Sequence, residues 1–262
     1  MSESTDRDAL IREIAKKRVR YVLPGMDALP VHRDLAYRDD LLMDVYCPPA
    51  QVQRPVPVVV IPIGYPDPQS GIRTFGPVTS WARLIAASGM AAIIYGSNSP
   101  AEDVEAALAC VRANASHLDL DAHRLALFAA SGHVPVALSV LMRDAGITAA
   151  ALLCGYTMDG DGATAVADMA AQFGFVNACA GRSPDDLSAD VPVLFVRAGR
   201  DQCPGLNDAL DKVVTRALGR NLPLTLVNHA SGAHGFDCDE DSPISREVVR
   251  QVLAFLAFHL NA

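Results

Sequence analysis

The stretch RLALFAASGHVPVALSVL occupies residues 124–141. It begins with an apolar run that predicts a strand over 124–129, and it continues with an apolar segment that predicts a buried helix over 133–144. Only three residues separate the two, so Ser131 is expected on a sharp turn at the carboxyl end of a strand. Such a turn exposes the serine oxygen above the sheet edge, beside the N–H groups of the helix start. A serine before a helix is also a common N-cap, so this turn alone leaves both interpretations open.

The alternation of strand and helix continues along the chain from residue 57. Short apolar runs predict strands covered on both faces, and the longer amphipathic segments between them predict helices. The predicted strands cover 58–63, 90–95, 124–129, 148–153, 191–196 and 222–227. The predicted helices cover 78–88, 101–116, 133–144, 162–177, 205–218 and 243–260. We therefore expect an α/β fold with a mostly parallel central sheet and helices on both of its faces.

The N-terminal part of the chain has a different pattern. Residues 31–37 and 42–46 predict an antiparallel hairpin at the sheet edge, and the first twenty residues predict a surface helix. No linker-like glycine and serine tract and no internal repeat interrupts the chain. We therefore expect an N-terminal helical arm over 1–30 and one α/β domain over 31–262.

The composition argues against several classes of protein. The formal net charge is −8 and half of the residues are hydrophobic, so neither a nucleic-acid partner nor a polybasic membrane surface is expected. No apolar stretch approaches the roughly 20 residues of a membrane span, and the charged N-terminus lacks the apolar segment of a secretory signal. The six cysteines contain no C-x-x-C pair, which favours reduced thiols. Together these features predict a cytoplasmic protein.

A carboxylate and an imidazole also follow predicted strands. Asp201 stands in VPVLFVRAGRDQCPG after the strand over 191–196, and His234 stands in LVNHASGAHGFD after the strand over 222–227. Because the carboxyl ends of parallel strands meet at one sheet edge, these two residues and Ser131 are expected to lie close together. The chain order serine, aspartate, histidine is that of the α/β-hydrolase arrangement.

Several segments resemble α/β-hydrolases of the bacterial esterase and lipase type, which are relatives of dienelactone hydrolase and hormone-sensitive lipase. AEDVEAALACVRANASHLDLDAHRLALFAASGHVPVALSVL resembles their nucleophile region. Four shorter segments resemble an early strand, the strand before the oxyanion loop, the acid loop and the histidine loop: LLMDVYCPP, PVVVIPIGY, RAGRD and HGF. The resemblance covers about residues 31–260. It implies the α/β-hydrolase fold and a carboxylesterase in which Ser131 is the nucleophile, His234 the general base and Asp201 its orienting partner.

The turn around the expected nucleophile differs from that of the relatives. It reads AASGH over 129–133, so Ala129 and His133 stand where the motif G-x-S-x-G has glycines. Alanine is a small change, whereas the His133 ring either points aside as a surface residue or enters the site as a local helper. His133 is therefore a candidate for the substrate pocket, together with Tyr156 and Met158.

The expected oxyanion loop differs as well. The segment after the strand reads IGY over 63–65, where the relatives often carry His-Gly-Gly or His-Gly-x. Because Pro66 has no N–H, we expect Gly132 to supply one oxyanion donor and Gly64 or Tyr65 to supply the other.

Other residues compete for the same roles. His229 is a second candidate base, but it lies nearer the strand end and lacks the Gly-Phe that follows His234. Asp208 and Asp237 are alternative carboxylates, and both are expected to be solvated surface charges. Cys203 is expected to be a packing thiol, because a cysteine nucleophile would stand at the turn that holds the serine.

The predicted reaction is hydrolysis of a small-molecule carboxylic ester through an acyl-enzyme, which requires no cofactor. The cysteines and histidines show no metal-ligand spacing, so no metal is expected either. The segment over 157–190 has room for one helix and a loop but not for a large cap domain, which predicts short-acyl substrates. A non-catalytic binding relative and a lyase or acyltransferase with the same three residues remain alternatives, and a homodimer is left open.

Overall fold

The predicted strands are all present in the computed structural model of the chain, with shifted ends. The structure describes residues 11–67, 71–143, 146–159, 162 and 164–261. Its strands are β1 (Val31–Arg38), β2 (Leu41–Tyr46), β3 (Val56–Val60), β4 (Ala91–Tyr95), β5 (Leu120–Ala130), β6 (Ala149–Leu153), β7 (Val193–Ala198) and β8 (Leu224–His229).

These strands form one sheet in the order β1-β2-β4-β3-β5-β6-β7-β8. The pairs β1–β2 and β2–β4 are antiparallel, and all other neighbours are parallel. This confirms the mostly parallel sheet and the antiparallel edge hairpin. Because β3, β5, β7 and β8 run in the same direction, their carboxyl ends meet at one edge of the sheet. Ser131, Asp201 and His234 follow three of those ends.

After residue 70, all described α-helices but one short one lie in the predicted segments and differ from prediction mainly in length. They are α1 (Gly76–Ala87), α2 (Pro100–Asn114), α3 (Val134–Leu141), α4 (Val166–Phe173), α5 (Leu206–Gly219), α6 (Phe236–Asp239) and α7 (Pro243–Leu260). Helix α4 ends before residue 177 because Gly174 adopts a left-handed φ of 79° and caps it. The sequence does not predict α6, since four residues carry no helical periodicity. Asp144, the predicted end of the helix after Ser131, lies outside the described residues.

The core lies on both faces of the sheet. Every position of β3, β4 and β6 is buried. Since successive side chains of a strand point to opposite faces, these strands are covered on both sides. All eight residues of α3 are buried too, as its apolar pattern predicts. The turn that carries Ser131 is therefore held between a buried strand and a buried helix.

The N-terminal region packs against the loop that carries His234. Residues 11–16 are helical, and Val19 is buried in the main core. The Arg20 backbone N–H donates to the carbonyl of Asp237 at 2.8 Å, and its Nε–H donates to the next carbonyl, also at 2.8 Å. The first ten residues of the predicted arm lie outside the described residues.

The connection from β6 to β7 covers residues 154–192. It contains α4 and a 3-10 turn at Pro184–Asp186, and its described part holds no separate cap domain. Across the described ranges of the chain, no helix combines the length and the apolar character needed to cross a bilayer.

Candidate active site

The turn after β5 holds Ser131 in a strained backbone conformation. Its φ is 53°, in the left-handed region, which costs a residue other than glycine about 1 kcal/mol. The serine opens a 3-10 turn, Ser131–His133, that leads directly into α3. Ala129 is fully buried in β5, so the strand accommodates alanine where the usual motif has glycine. This strand, turn and helix match the geometry expected of a nucleophile turn.

The three predicted side chains form one chain of hydrogen-bond contacts. Ser131 Oγ lies 2.9 Å from His234 Nε2, and His234 Nδ1 lies 2.7 Å from Asp201 Oδ2. The Asp201 carboxylate is fully buried, whereas 29% of the His234 side chain is exposed. A carboxylate at Nδ1 keeps the ring hydrogen on that nitrogen and leaves Nε2 to accept from the serine hydroxyl. The arrangement is therefore one that activates a hydroxyl as a nucleophile.

Burial and hydrogen bonding act in opposite directions on this pair. Burial raises the pKa of Asp201, but hydrogen bonds from His234 and from the Cys203 backbone N–H at 2.9 Å outweigh it and lower the pKa. Burial lowers the pKa of His234, but Asp201 and the Cys203 side chain outweigh it and raise the pKa above its ordinary value. The contact thus favours an ionised carboxylate and stabilises the imidazolium that forms when the histidine takes a proton.

His133 is buried beside the turn that carries Ser131 and is not a surface residue. Its ring is buried, and its Nδ1 accepts a hydrogen bond of 2.8 Å from the backbone N–H of Gly64. That N–H is therefore engaged, which corrects the expectation that Gly64 donates it to an oxyanion. Burial lowers the pKa of His133 to about 4, so the ring is neutral at pH 7. With Nδ1 accepting, the ring hydrogen lies on Nε2.

Gly64 and Gly132 are required by close packing. A Cβ on Gly64 would lie 2.1 Å from the carbonyl oxygen of Gly132. A Cβ on Gly132 would lie 2.3 Å from the Tyr65 hydroxyl oxygen and 3.0 Å from Phe175 Cβ. The Tyr65 phenol therefore covers the residue that follows the candidate nucleophile. The lack of a Cβ lets backbone atoms approach Gly64 and lets the Tyr65 and Phe175 side chains approach Gly132.

A small apolar cluster lies beside the turn. The Tyr65 ring is edge-on to His133 at 5.1 Å between centroids, and Phe175 stacks on Tyr156, also at 5.1 Å. Tyr156, a candidate for the substrate pocket, belongs to this cluster, and its role in the pocket stays a prediction. Met158 is buried in the main core instead, which corrects its assignment to the pocket. The remaining members of the cluster are Val166, Met169, Ala170, Phe173, Cys203, Leu206 and Ala209.

Cys203 lies next to the acid and the histidine. The ligand atoms of Asp201, Cys203 and His234 are all within 4.8 Å of one another. The expectation that no metal-ligand group is present considered only spacing along the chain, and the expectation of a packing thiol considered Cys203 only as a possible nucleophile. The Asp-x-Cys spacing was the available signal, but it gains meaning only when the loop after β8 brings His234 to it.

The competing residues occupy other places. His229 is buried, and its Nε2 lies 2.9 Å from Ser245 Oγ. Asp208 is exposed, as expected. Asp237 is not the solvated charge that the sequence suggests: it is buried and accepts a hydrogen bond of 2.8 Å from the indole N–H of Trp81. This bond ties the segment after His234 to α1.

No protein-family model and no curated protein matches the sequence. Solved structures, in contrast, are similar over nearly the whole chain. A fungal esterase from Rhizomucor miehei has a TM-score of 0.73 at 15% identity, over 100% of this chain and 92% of its own. A thermostable esterase from Pseudomonas putida has a TM-score of 0.73 at 18% identity, over 99% and 91%. Brefeldin A esterase, a bacterial homologue of human hormone-sensitive lipase, has a TM-score of 0.72 at 17% identity, over 99% and 84%. The chain therefore has the α/β-hydrolase fold.

Proposed function

We propose that the protein is a serine hydrolase that cleaves carboxylic esters of small, short-acyl substrates through an acyl-enzyme. The observation that carries the proposal is the contact chain from Ser131 Oγ to His234 Nε2 at 2.9 Å and from His234 Nδ1 to Asp201 Oδ2 at 2.7 Å. The esterases with the same fold support ester chemistry for this arrangement.

The proposed reaction proceeds in two halves. His234 Nε2 takes the hydroxyl proton as Ser131 Oγ attacks the ester carbonyl carbon, and Asp201 stabilises the resulting imidazolium. The tetrahedral intermediate collapses, and the leaving alkoxide receives the proton from His234. Water then attacks the acyl-enzyme with the same histidine as base, which releases the carboxylic acid and restores the serine. Each half returns the proton that it borrowed, so the reaction needs no cofactor.

The oxyanion is assigned to two backbone donors. Gly132 follows the nucleophile directly, and its N–H is the usual first donor of this turn type. The Gly64 N–H is engaged by His133, so we assign the second donor to the next N–H along the chain, that of Tyr65. The contact between the two glycine backbones sets the separation of these donors.

The proposal of short acyl groups rests on the side chains around the serine. Tyr65 and Phe175 close in on Gly132, and Phe175 is backed by the stacked ring of Tyr156. The described part of the β6–β7 connection supplies α4 but no cap domain that would extend the pocket. We therefore propose acetyl to butyryl esters as the preferred substrates.

The proposed compartment is the cytoplasm. All six cysteines are free thiols in this structure, and unpaired cysteines are typical of proteins kept in a reducing environment. The proposed division remains an N-terminal arm over 1–30 and a catalytic domain over 31–262.

The test is covalent labelling with a fluorophosphonate, followed by hydrolysis of p-nitrophenyl acetate. The parent protein is expected to be labelled at Ser131 and to hydrolyse the ester, whereas Ser131→Ala is expected to do neither. Ser116→Ala, at an exposed serine, is the matched control and should behave as the parent. Labelling without hydrolysis would replace the proposal by a lyase or acyltransferase with the same residues. Absence of labelling would replace it by a non-catalytic binding protein.

A further inference from the structure

Three different metal-ligating side chains meet at the edge of the candidate active site. The carboxylate of Asp201, the thiol of Cys203 and the imidazole of His234 place their ligand atoms within 4.8 Å of one another. We propose that these three residues bind a thiophilic divalent cation of the zinc type and that this binding reversibly stops hydrolysis. The inhibition rests on the proposed function, whereas the binding does not.

The donor set selects the class of cation. Thiolate, imidazole and carboxylate are the ligands that Zn²⁺ takes in proteins, and three protein ligands leave the fourth tetrahedral position for water. Calcium and magnesium prefer oxygen ligands alone, so a site with one sulfur and one nitrogen discriminates against them. The His234 side chain is 29% exposed and Cys203 is partly exposed, so we expect the ion to enter from their side.

The nitrogen and oxygen ligands require only a small adjustment to hold the ion, and the third ligand atom lies within 4.8 Å of both. Zinc bound to nitrogen and oxygen at about 2.0 Å each separates these ligand atoms by about 3.3 Å in a tetrahedron. His234 Nδ1 and Asp201 Oδ2 are 2.7 Å apart, so the pair must open slightly around the ion. The other carboxylate oxygen, Oδ1, accepts the Cys203 backbone N–H at 2.9 Å. That bond orients the carboxylate, as the outer hydrogen bonds of metal ligands commonly do.

Metal binding and general-base catalysis exclude each other at this site. The ion takes the position of the hydrogen on His234 Nδ1, and the displaced ring hydrogen then resides on Nε2. In that tautomer Nε2 donates towards Ser131 Oγ and is unable to take its proton. The Cys203 thiol releases its own proton to solvent on forming the thiolate, so ion binding releases protons.

Cys203 is the one proposed metal ligand that takes no part in the proposed hydrolysis, so its substitution tests the metal site separately. The proposed reaction uses Ser131, His234 and Asp201 but no thiol. Cys110 offers a matched control, because it is a partly buried thiol on α2 whose Sγ contacts only Asn114 among the described hydrogen bonds. A cation that acts through thiols in general would treat the two cysteines alike.

The first experiment titrates zinc ions against p-nitrophenyl acetate hydrolysis by the parent, Cys203→Ser and Cys110→Ser, with each rate normalised to that of the same protein without zinc. The parent and Cys110→Ser are expected to be inhibited at the same zinc concentration and to recover with EDTA. Cys203→Ser is expected to need about tenfold more zinc or beyond, because even outer-shell partners of a ligand are worth that much. Equal inhibition of all three proteins, or no inhibition of the parent, would overturn the site.

The second experiment measures binding without catalysis. Cobalt(II) is added to the same proteins and to Ser131→Ala, and the thiolate-to-cobalt absorption in the near ultraviolet is recorded. The parent, Ser131→Ala and Cys110→Ser should show this absorption, and Cys203→Ser should lack it. A protein that shows the band but hydrolyses no ester would retain the metal site and lose the proposed function. A protein that hydrolyses esters but shows no band would retain the proposed function and overturn the metal site.

Discussion

The backbone N–H of Gly64 donates to Nδ1 of His133 across a distance of 2.8 Å. This bond joins the loop after β3 to the turn that carries Ser131. The two segments also touch through the backbone of Gly64 and Gly132. His133, which replaces a glycine of the usual motif, therefore acts as a clamp between the candidate nucleophile and the candidate oxyanion loop.

Removing the clamp is expected to lower kcat more than it changes KM. In His133→Ala the Gly64 N–H loses its buried acceptor, which costs about 1–3 kcal/mol, and the loop that positions the Tyr65 N–H shifts. We expect kcat on p-nitrophenyl acetate to fall by about tenfold or more. His133→Asn keeps an acceptor at the same position along the side chain and should recover most of the rate. Equal losses in both variants would show that the ring matters for its bulk and not for its hydrogen bond.

The same residue should make the protein sensitive to acid. The pKa of His133 is lowered to about 4 by burial, whereas the unfolded chain binds the proton near 6.5. Between these values the unfolded state binds more protons, so stability falls as the pH falls from 6.5 towards 4. From pH 7 to pH 5 the contribution is about 2 kcal/mol. Denaturant unfolding of the parent and of His133→Asn at both pH values measures it, and the asparagine variant should lose less stability by this amount.

Asp201→Asn should change both the rate and its pH dependence. Asp201 raises the pKa of His234, and the histidine must be neutral to act as base, so activity should increase with pH through a midpoint above the ordinary 6.5. In Asp201→Asn that midpoint should move down, and the maximal kcat/KM should fall by orders of magnitude because the ring loses its fixed tautomer. Asp208→Asn, at an exposed carboxylate, should leave the profile in place. An unchanged midpoint in Asp201→Asn would show that the rise of activity with pH reports another titrating group.

Substitution of the serine and the histidine should not be additive. Ser131→Ala and His234→Ala should each remove most of the hydrolysis of p-nitrophenyl acetate, and the double variant should be little worse, because the residues act as a unit. Rates are compared at matched protein concentration after circular dichroism confirms the fold. A single variant with nearly parental turnover would remove that residue from the mechanism.

Acyl length should limit the rate. Each buried methylene contributes about 0.8 kcal/mol, so kcat/KM should rise only until the space beside Tyr65 and Phe175 is filled. We expect p-nitrophenyl acetate or butyrate to exceed the dodecanoate, with no increase in rate above the solubility limit of the long ester. Preference for the dodecanoate would reveal a tunnel or lid that the proposed pocket does not contain.

Local patterns were enough to predict the strands, the turn at Ser131 and the buried helix after it, because these features depend on neighbours in the chain. They also predicted that Asp201 and His234 would reach the serine, since parallel strands share an edge. The clamp was not predictable in the same way: Gly64 and His133 are 69 positions apart, and nothing in either segment indicates the bond.

Asp237 illustrates the same limit. It stands in the polar stretch FDCDED and has the pattern of a surface charge. The indole N–H that satisfies it comes from Trp81, 156 positions earlier. The sequence pattern alone therefore misplaces polar residues whose hydrogen-bond partners lie far along the chain. Apolar periodicity remains informative, because an apolar side chain can be buried against any apolar neighbour.

The left-handed φ of Ser131 creates a conflict between thermal stability and the proposed activity. Glycine adopts this conformation without the steric cost that serine bears, and it has no hydroxyl. Selection of random variants for heat resistance alone would therefore favour glycine at this position and enrich proteins that lack the candidate nucleophile. Directed evolution of a more thermostable variant therefore requires that every round of screening also measure product formation.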